Sequence, residues 1–166
     1  MTFNNSKTII GMRIRLFTVT VLFLLYIVLT YIADVIKFPL LGMSDTLLTV
    51  ILVCIYFLYV FYPMILNYQY IDYSDEGEKI VFRYFTAGII GGKKNSVEIN
   101  KSAFAGYRRD RKFLGLIQSV ILFQQMREGV AQYPPIYISI LSKKERARLL
   151  HSLYSNAPDD ATDVIK

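Results

Sequence analysis

The sequence has one cysteine, one histidine and no tryptophan. A lone cysteine, Cys54, excludes an intramolecular disulfide and any cysteine-based metal site. It lies within an uncharged apolar run, where a thiol behaves as a small apolar side chain. The lone histidine, His151, is tied by no motif to a serine or an acid, so no hydrolase triad can be assembled around it. It is expected on the surface, or half-buried, on a helix. The carboxylates are scattered singly. The run GIIGGKK (residues 88–94) is glycine-rich and basic, but it lacks P-loop spacing and has no Ser or Thr directly after its lysines. It reads as a flexible connection between strands. No catalytic residue, metal ligand or cofactor is therefore expected, and the chain is read as not an enzyme.

Charge is missing from two long stretches. Residues 16–33, LFTVTVLFLLYIVLTYIA, contain no charge, proline or glycine, and as a helix would reach roughly 27 Å. Residues 46–66, TLLTVILVCIYFLYVFYPMIL, are also uncharged and would reach roughly 31 Å. Pro63 falls in the last turn, where a kink is tolerated. A cleaved signal peptide fits poorly, because the first run is long, no small-x-small site precedes Asp34, and a second run follows. Neither run has a polar face, which argues against a buried soluble hairpin. Both are read as membrane spans. The absence of ionisable residues within them argues against an ion path or proton relay.

The net charge of +6 and its placement give an orientation. Lys7, Arg13 and Arg15 precede the first span, and most other basic residues follow the second. The positive-inside rule then puts both termini in the cytoplasm. The short outer loop, DVIKFPLLGMSD, has an apolar middle and is expected at the interface. Tyrosines at 26, 31, 56, 59, 62, 68 and 70 cluster near the span ends and read as an aromatic belt. Tyr56, Tyr59 and Tyr62 also share a helix face, which suits a contact with the first span or a partner.

After residue 66 the pattern changes to short β runs. NYQYIDYS and EKIVFRYFTA flank Asp75-Glu76-Gly77, which predicts a hairpin. VEI (97–99), AFAGYRR, LIQSVILFQQM (116–126), VAQY and IYISI (136–140) predict further strands, with Pro134-Pro135 marking an edge or bulge. Tyr84, Phe85, Tyr107, Phe113 and Phe123 are expected in the core or on a sheet face. SKKERARLLHSLYS then switches to helical spacing, with Leu149, Leu150 and Leu153 on one face and a Ser142/Glu145 capping box at its start. The helix is expected to cover an open end of the sheet. The divisions are a segment over 1–15, a transmembrane hairpin over 16–66, a β-rich domain over 67–155 and a flexible tail over 156–166.

Two spans followed by YIDYSDEGEKIVFRYF, VEINKSAFAGYR and REGVAQYPPIYISILSKKERARLLHSL resemble the bacterial PH-like membrane proteins. These carry a pleckstrin-homology-type domain beside transmembrane hairpins. The resemblance is one of pattern and order, over about 90 residues. It implies an α+β membrane protein of the bacterial inner membrane. Its two-helix transmembrane hairpin would be followed by a bent antiparallel β-sheet or partial barrel, capped by the C-terminal helix. Phosphoinositide-binding domains of that type have a basic first hairpin loop. Here the loop is Ser74-Asp75-Glu76-Gly77-Glu78, which repels phosphate, so that function does not carry over.

The densest charge is in FAGYRRDRKFLG (104–115). Arg108, Arg109, Arg111 and Lys112 are the candidate lipid or partner contacts. No RNA-binding motif accompanies them, and nucleic acid is not expected as a partner. The run reads as a solvated strand end and turn: on a strand, Arg109 and Arg111 would share one face, with Arg108, Asp110 and Lys112 on the other, whereas in a loop all would cluster. The leading function is a membrane-anchored binding or scaffold module that presents its domain to a protein partner. The alternative is contact between the basic run and anionic lipid headgroups. An unrecognised membrane enzyme is a lesser alternative. The sequence does not specify an oligomeric state.

Overall fold

The computed structural model describes residues 1–40, 42–87 and 92–158. The chain is α+β and divides into two compact units. One runs from Ile10 to Pro63. The other combines Met1–Ile9 with the chain from Met64 onward.

The first unit is a helical pair. Helix α1 spans Ser6–Ile27 and continues as a π-helical turn over Val28–Ile32. It begins well before the uncharged run, because nothing between Ser6 and Leu16 breaks a helix strongly; Gly11 is tolerated. Helix α2 spans Asp45–Ile65 and includes Pro63 in its last turn. Both helices are long and apolar enough to cross a membrane. Their large side chains point outward: Phe17 and Leu58 are each 70% exposed, and Ile32 is 76% exposed.

Three tyrosines of this pair do more than sit at span ends. The Tyr56 ring stacks on Phe23 at 4.6 Å, and its hydroxyl lies 3.2 Å from the Thr20 hydroxyl. Tyr26 and Tyr31 both reach the Thr49 hydroxyl at 2.8 Å. Tyr56 thus meets the first helix, the contact that its shared face with Tyr59 and Tyr62 suits. The polar tips of Tyr26, Tyr31 and Tyr56 are bonded across the hairpin.

The second unit is built from two antiparallel sheets. Strands β1 (Thr2–Asn4), β2 (Gln69–Ser74), β3 (Lys79–Thr86) and β4 (Asn95–Asn100) form one in that order. Strands β5 (Phe104–Lys112), β6 (Ile117–Met126) and β7 (Gly129–Gln132) form the other, with β8 (Ile136–Tyr137) also on β6. The sheets are not closed into a barrel. The β2–β3 hairpin falls where alternation predicted it. The strand expected over 136–140 is shorter, ending at Tyr137.

Alternation sends Ile71, Tyr73, Ile80, Phe82, Val97 and Ile99 into the core from the first sheet, and Val120, Leu122 and Ile136 from the second. Helix α3 (Lys143–Ser155) adds Leu149 and Leu153, both fully buried, while His151 is exposed. Each such side chain contributes about 1.5–3 kcal/mol by leaving water. The capping box forms as expected: Glu145 N–H donates to Ser142 Oγ at 3.2 Å, and Ser142 N–H donates to the Glu145 carboxylate at 2.8 Å. Gln69 ties the sheets together by accepting the Tyr137 N–H at 2.9 Å.

The first strand was not foreseen. Residues 1–15 read as a plain segment, yet Thr2–Asn4 pair with Asp72–Ser74. Asn5 is buried and acts as a further rung. Its side chain donates to Gln69 O at 2.9 Å and accepts Ile71 N–H at 2.9 Å. Three residues are too few to show a strand period in sequence. Of the expected tail, Asn156 bonds back to Ser152 O at 2.7 Å and Ala157 packs on the core. Residues 159–166, and residues 88–91 of the glycine-rich loop, lie outside the described residues.

Candidate functional site

The basic run lies on β5, a regular strand paired with β6, so its charges divide. Arg109 and Arg111 stand opposite Val120 and Gln118, on the side that Tyr107 shares with the core. Arg109 donates to Gln118 Oε1 at 2.7 Å, and Tyr107 donates to Leu150 O on α3 at 3.4 Å. Burial holds the Arg109 pKa below its ordinary value, and the charges of Arg111 and Arg146 push it the same way. Arg146 in turn donates to Leu141 O at 2.8 Å. The Nε atoms of Arg109 and Arg146 are buried, with no hydrogen-bond partner among the described residues.

The other face carries Arg108, Asp110 and Lys112. Arg108 pairs with Asp110 at 3.3 Å and lies over the Phe123 ring, 5.8 Å from its centre. A half-exposed pair of this kind contributes little to stability. Of the four sequence-predicted contacts, Arg108 and Arg109 are thus engaged within the domain. Arg111 and Lys112 are exposed at the strand end and form no ion pair with the described residues.

The strand end leads into a tight turn, as the sequence reading of this run as a strand end and turn expects. Lys112 opposes Ile117, and residues 113–116 make the link between them. Phe113 and Leu114 both take left-handed backbone angles, with φ of 49° and 54°. For bulky side chains this is unusual and costs about 1 kcal/mol or more each. The result turns Phe113 outward to 73% exposure and leaves Leu114 fully exposed, with Leu116 at 61%. Phe113 is therefore not the core or sheet-face residue expected. The sequence places a turn here, but only the backbone geometry shows which side chains it sends outward.

Comparison with known protein families, curated proteins and solved structures finds no match to this chain.

A second polar feature is internal. Asp75, part of the acidic hairpin loop read from sequence, is buried. It accepts hydrogen bonds from the Met1 amino group, from Ser152 Oγ, and from Asn156 Nδ2 at 3.4 Å. The Ser152 hydroxyl also lies 2.7 Å from the Tyr73 hydroxyl. Burial alone would raise the Asp75 pKa. The hydrogen bonds and nearby positive charges, Lys101 included, outweigh it and hold the carboxyl below its usual value. Tyr73 is pushed far up by burial, against the Ser152 hydrogen bond and with help from the Asp75 charge. Repulsion of phosphate by this loop thus falls to Glu76 and Glu78, since the Asp75 charge is already compensated.

The outer face of the first sheet carries a shallow hollow of about 410 Å³ bordered by Tyr70, Asp72, Arg83, Phe85, Lys94 and Ser96. Tyr70 and Phe85 stack there at 4.7 Å. It combines an aromatic floor with charges of both signs.

Proposed function

We propose that this protein is a membrane-anchored, non-catalytic binding module. It presents a PH-like domain to a protein partner at the cytoplasmic face of a bacterial inner membrane. The observation that carries the reading is the contrast between two long helices that leave their apolar side chains exposed and a β domain with an ordinary closed core. Exposed apolar surface on that scale calls for a non-aqueous surrounding. The pairing of β1 with β2 supports a topology with both ends of the chain on one side. Charge placement chooses the cytoplasm as that side. Two antiparallel sheets sharing one core with a C-terminal helix support the PH-like reading.

The test uses single-cysteine variants in a Cys54→Ser background. Lys37→Cys is expected to react with an impermeant maleimide in intact cells. Lys143→Cys is expected to react only after permeabilisation. Extraction of the protein by alkaline carbonate, or labelling of Lys143→Cys in intact cells, would refute the anchored topology. Recovery of the isolated chain alone after crosslinking in cells would refute the scaffold role.

The second reading is contact with anionic lipid. Arg111 and Lys112, exposed and without an acidic partner among the described residues, favour it. In that reading the contact belongs to the strand end rather than to the whole run.

A further inference from the structure

We propose that the turn at residues 113–116 is a lipid-inserting tip: Phe113, Leu114 and Leu116 enter the acyl boundary while Arg111 and Lys112 meet anionic headgroups behind them. This deepens the lipid reading above and rests on the chain being held at a membrane.

The first support is exposure. Three large apolar side chains stand together at a convex turn, 73%, fully and 61% exposed. The second is that the turn is held in this form. Leu116 N–H donates to Phe113 O at 3.0 Å, and Gln118 Nε2 donates to Gly115 O at 2.8 Å. Gln118 is fixed in turn by Arg109 and by the Ser139 hydroxyl, which accepts its N–H at 2.9 Å. Consecutive left-handed residues keep Phe113 and Leu114 turned outward despite their steric cost. The third is charge. The residues directly behind the tip are basic, and no acidic partner among the described residues neutralises them.

A bilayer fits these features better than a protein. A stable protein interface needs about 800 Å² from each partner, more than three side chains on a convex point supply. A membrane takes such a point readily, because apolar depth and headgroup charge lie in the order the sequence provides. Only three residues separate the end of α2 from β2, so the domain is tethered within reach of any bilayer that α2 crosses. The far end of β6 is an internal control. Its hairpin exposes Met126 and Val130 but carries Arg127 beside Glu128, with no net charge. The ten residues of β6 put roughly 33 Å between the two ends.

The chain has no tryptophan, so each introduced one is a unique reporter. Leu114→Trp, Val130→Trp and Leu58→Trp are placed in the full chain and reconstituted in nanodiscs with brominated acyl chains, with and without phosphatidylglycerol. Leu58→Trp, on α2, reports the span. The expected result is quenching of Leu114→Trp and Leu58→Trp but not of Val130→Trp. Adding Arg111→Gln and Lys112→Gln to Leu114→Trp should weaken its quenching in anionic discs, by about fivefold in local partition for each charge. Quenching of Leu58→Trp without Leu114→Trp would overturn the tip while leaving the membrane anchor standing. Loss of both would overturn the two readings together. Equal quenching of Val130→Trp would show non-specific adhesion and also refute the tip.

Discussion

Leu58 and Leu153 are the same side chain in two settings. Leu153 on α3 is fully buried among residues from both sheets, whereas Leu58 on α2 is 70% exposed. The difference runs through the two units. In the β domain most apolar strand residues are buried in one core, and the exposed ones gather at the two ends of β6. In the helical pair apolar side chains cover every side and stay outside. Hydrogen bonding follows the same division. The domain encloses a charged network, Asp75–Ser152–Tyr73, while the helices are stitched by neutral tyrosine–threonine pairs. One unit is organised by exclusion of water from within. The other keeps its apolar side chains on the outside of two helices long and apolar enough to cross a membrane.

The sharpest way to break this comparison is truncation on both sides. Phe82→Ala should destabilise the domain by about 3–5 kcal/mol, since it leaves a cavity in a closed core. Leu58→Ala should leave domain stability unchanged. Denaturant titration of the full chain in detergent, followed by near-UV circular dichroism, measures both. A comparable loss from Leu58→Ala would mean that α2 packs as a core helix.

A smaller effect concerns acid. The Asp75 carboxyl titrates lower in the folded chain than in the unfolded one, so the unfolded state takes up the proton first as pH falls. Its stabilisation is complete above the unfolded pKa and is lost as pH drops through the folded value. Asp75→Asn should cost about 2 kcal/mol at neutral pH, by weakening charge-assisted hydrogen bonds, and should flatten the acid limb of the stability profile. Thermal melts across the acid range read both; an unchanged acid limb would place the sensitive group elsewhere.

The smallest effect compares one hydroxyl in each unit. Tyr73→Phe strands part of a buried network and should cost about 1–1.5 kcal/mol. Tyr56→Phe removes a neutral bond between apolar helices and should cost about 0.6 kcal/mol. Equal losses would mean that the two units place their hydroxyls in similar surroundings.

Local patterns made much of this architecture legible. The uncharged runs mark both long helices, the β2–β3 hairpin sits around its acidic turn, and Ser142 and Glu145 mark the start of α3 within a residue. Other features were hidden. β1 is three residues long, so its only signal is the partner it finds. Asp75 looks like any turn carboxylate until α3 brings Ser152 and Asn156 to it. Phe113 looks like a core aromatic until two left-handed residues turn it outward.

What the sequence determined by itself is therefore what depends on neighbours along the chain: uncharged length, alternation, helical spacing and capping. These act over a few residues through backbone hydrogen bonding and side-chain periodicity. Tertiary structure decided which charges are compensated and which are free. The strand pairing of β5 with β6 put Arg109 and Arg111 on one face and Arg108 and Lys112 on the other. Gln118, Asp110 and Phe123 engage Arg109 and Arg108 there, Arg111 and Lys112 stay exposed, and the turn that closes the strand set three apolar side chains beyond them. Those outcomes depend on groups far apart in sequence and on local backbone strain that the rest of the fold must hold in place.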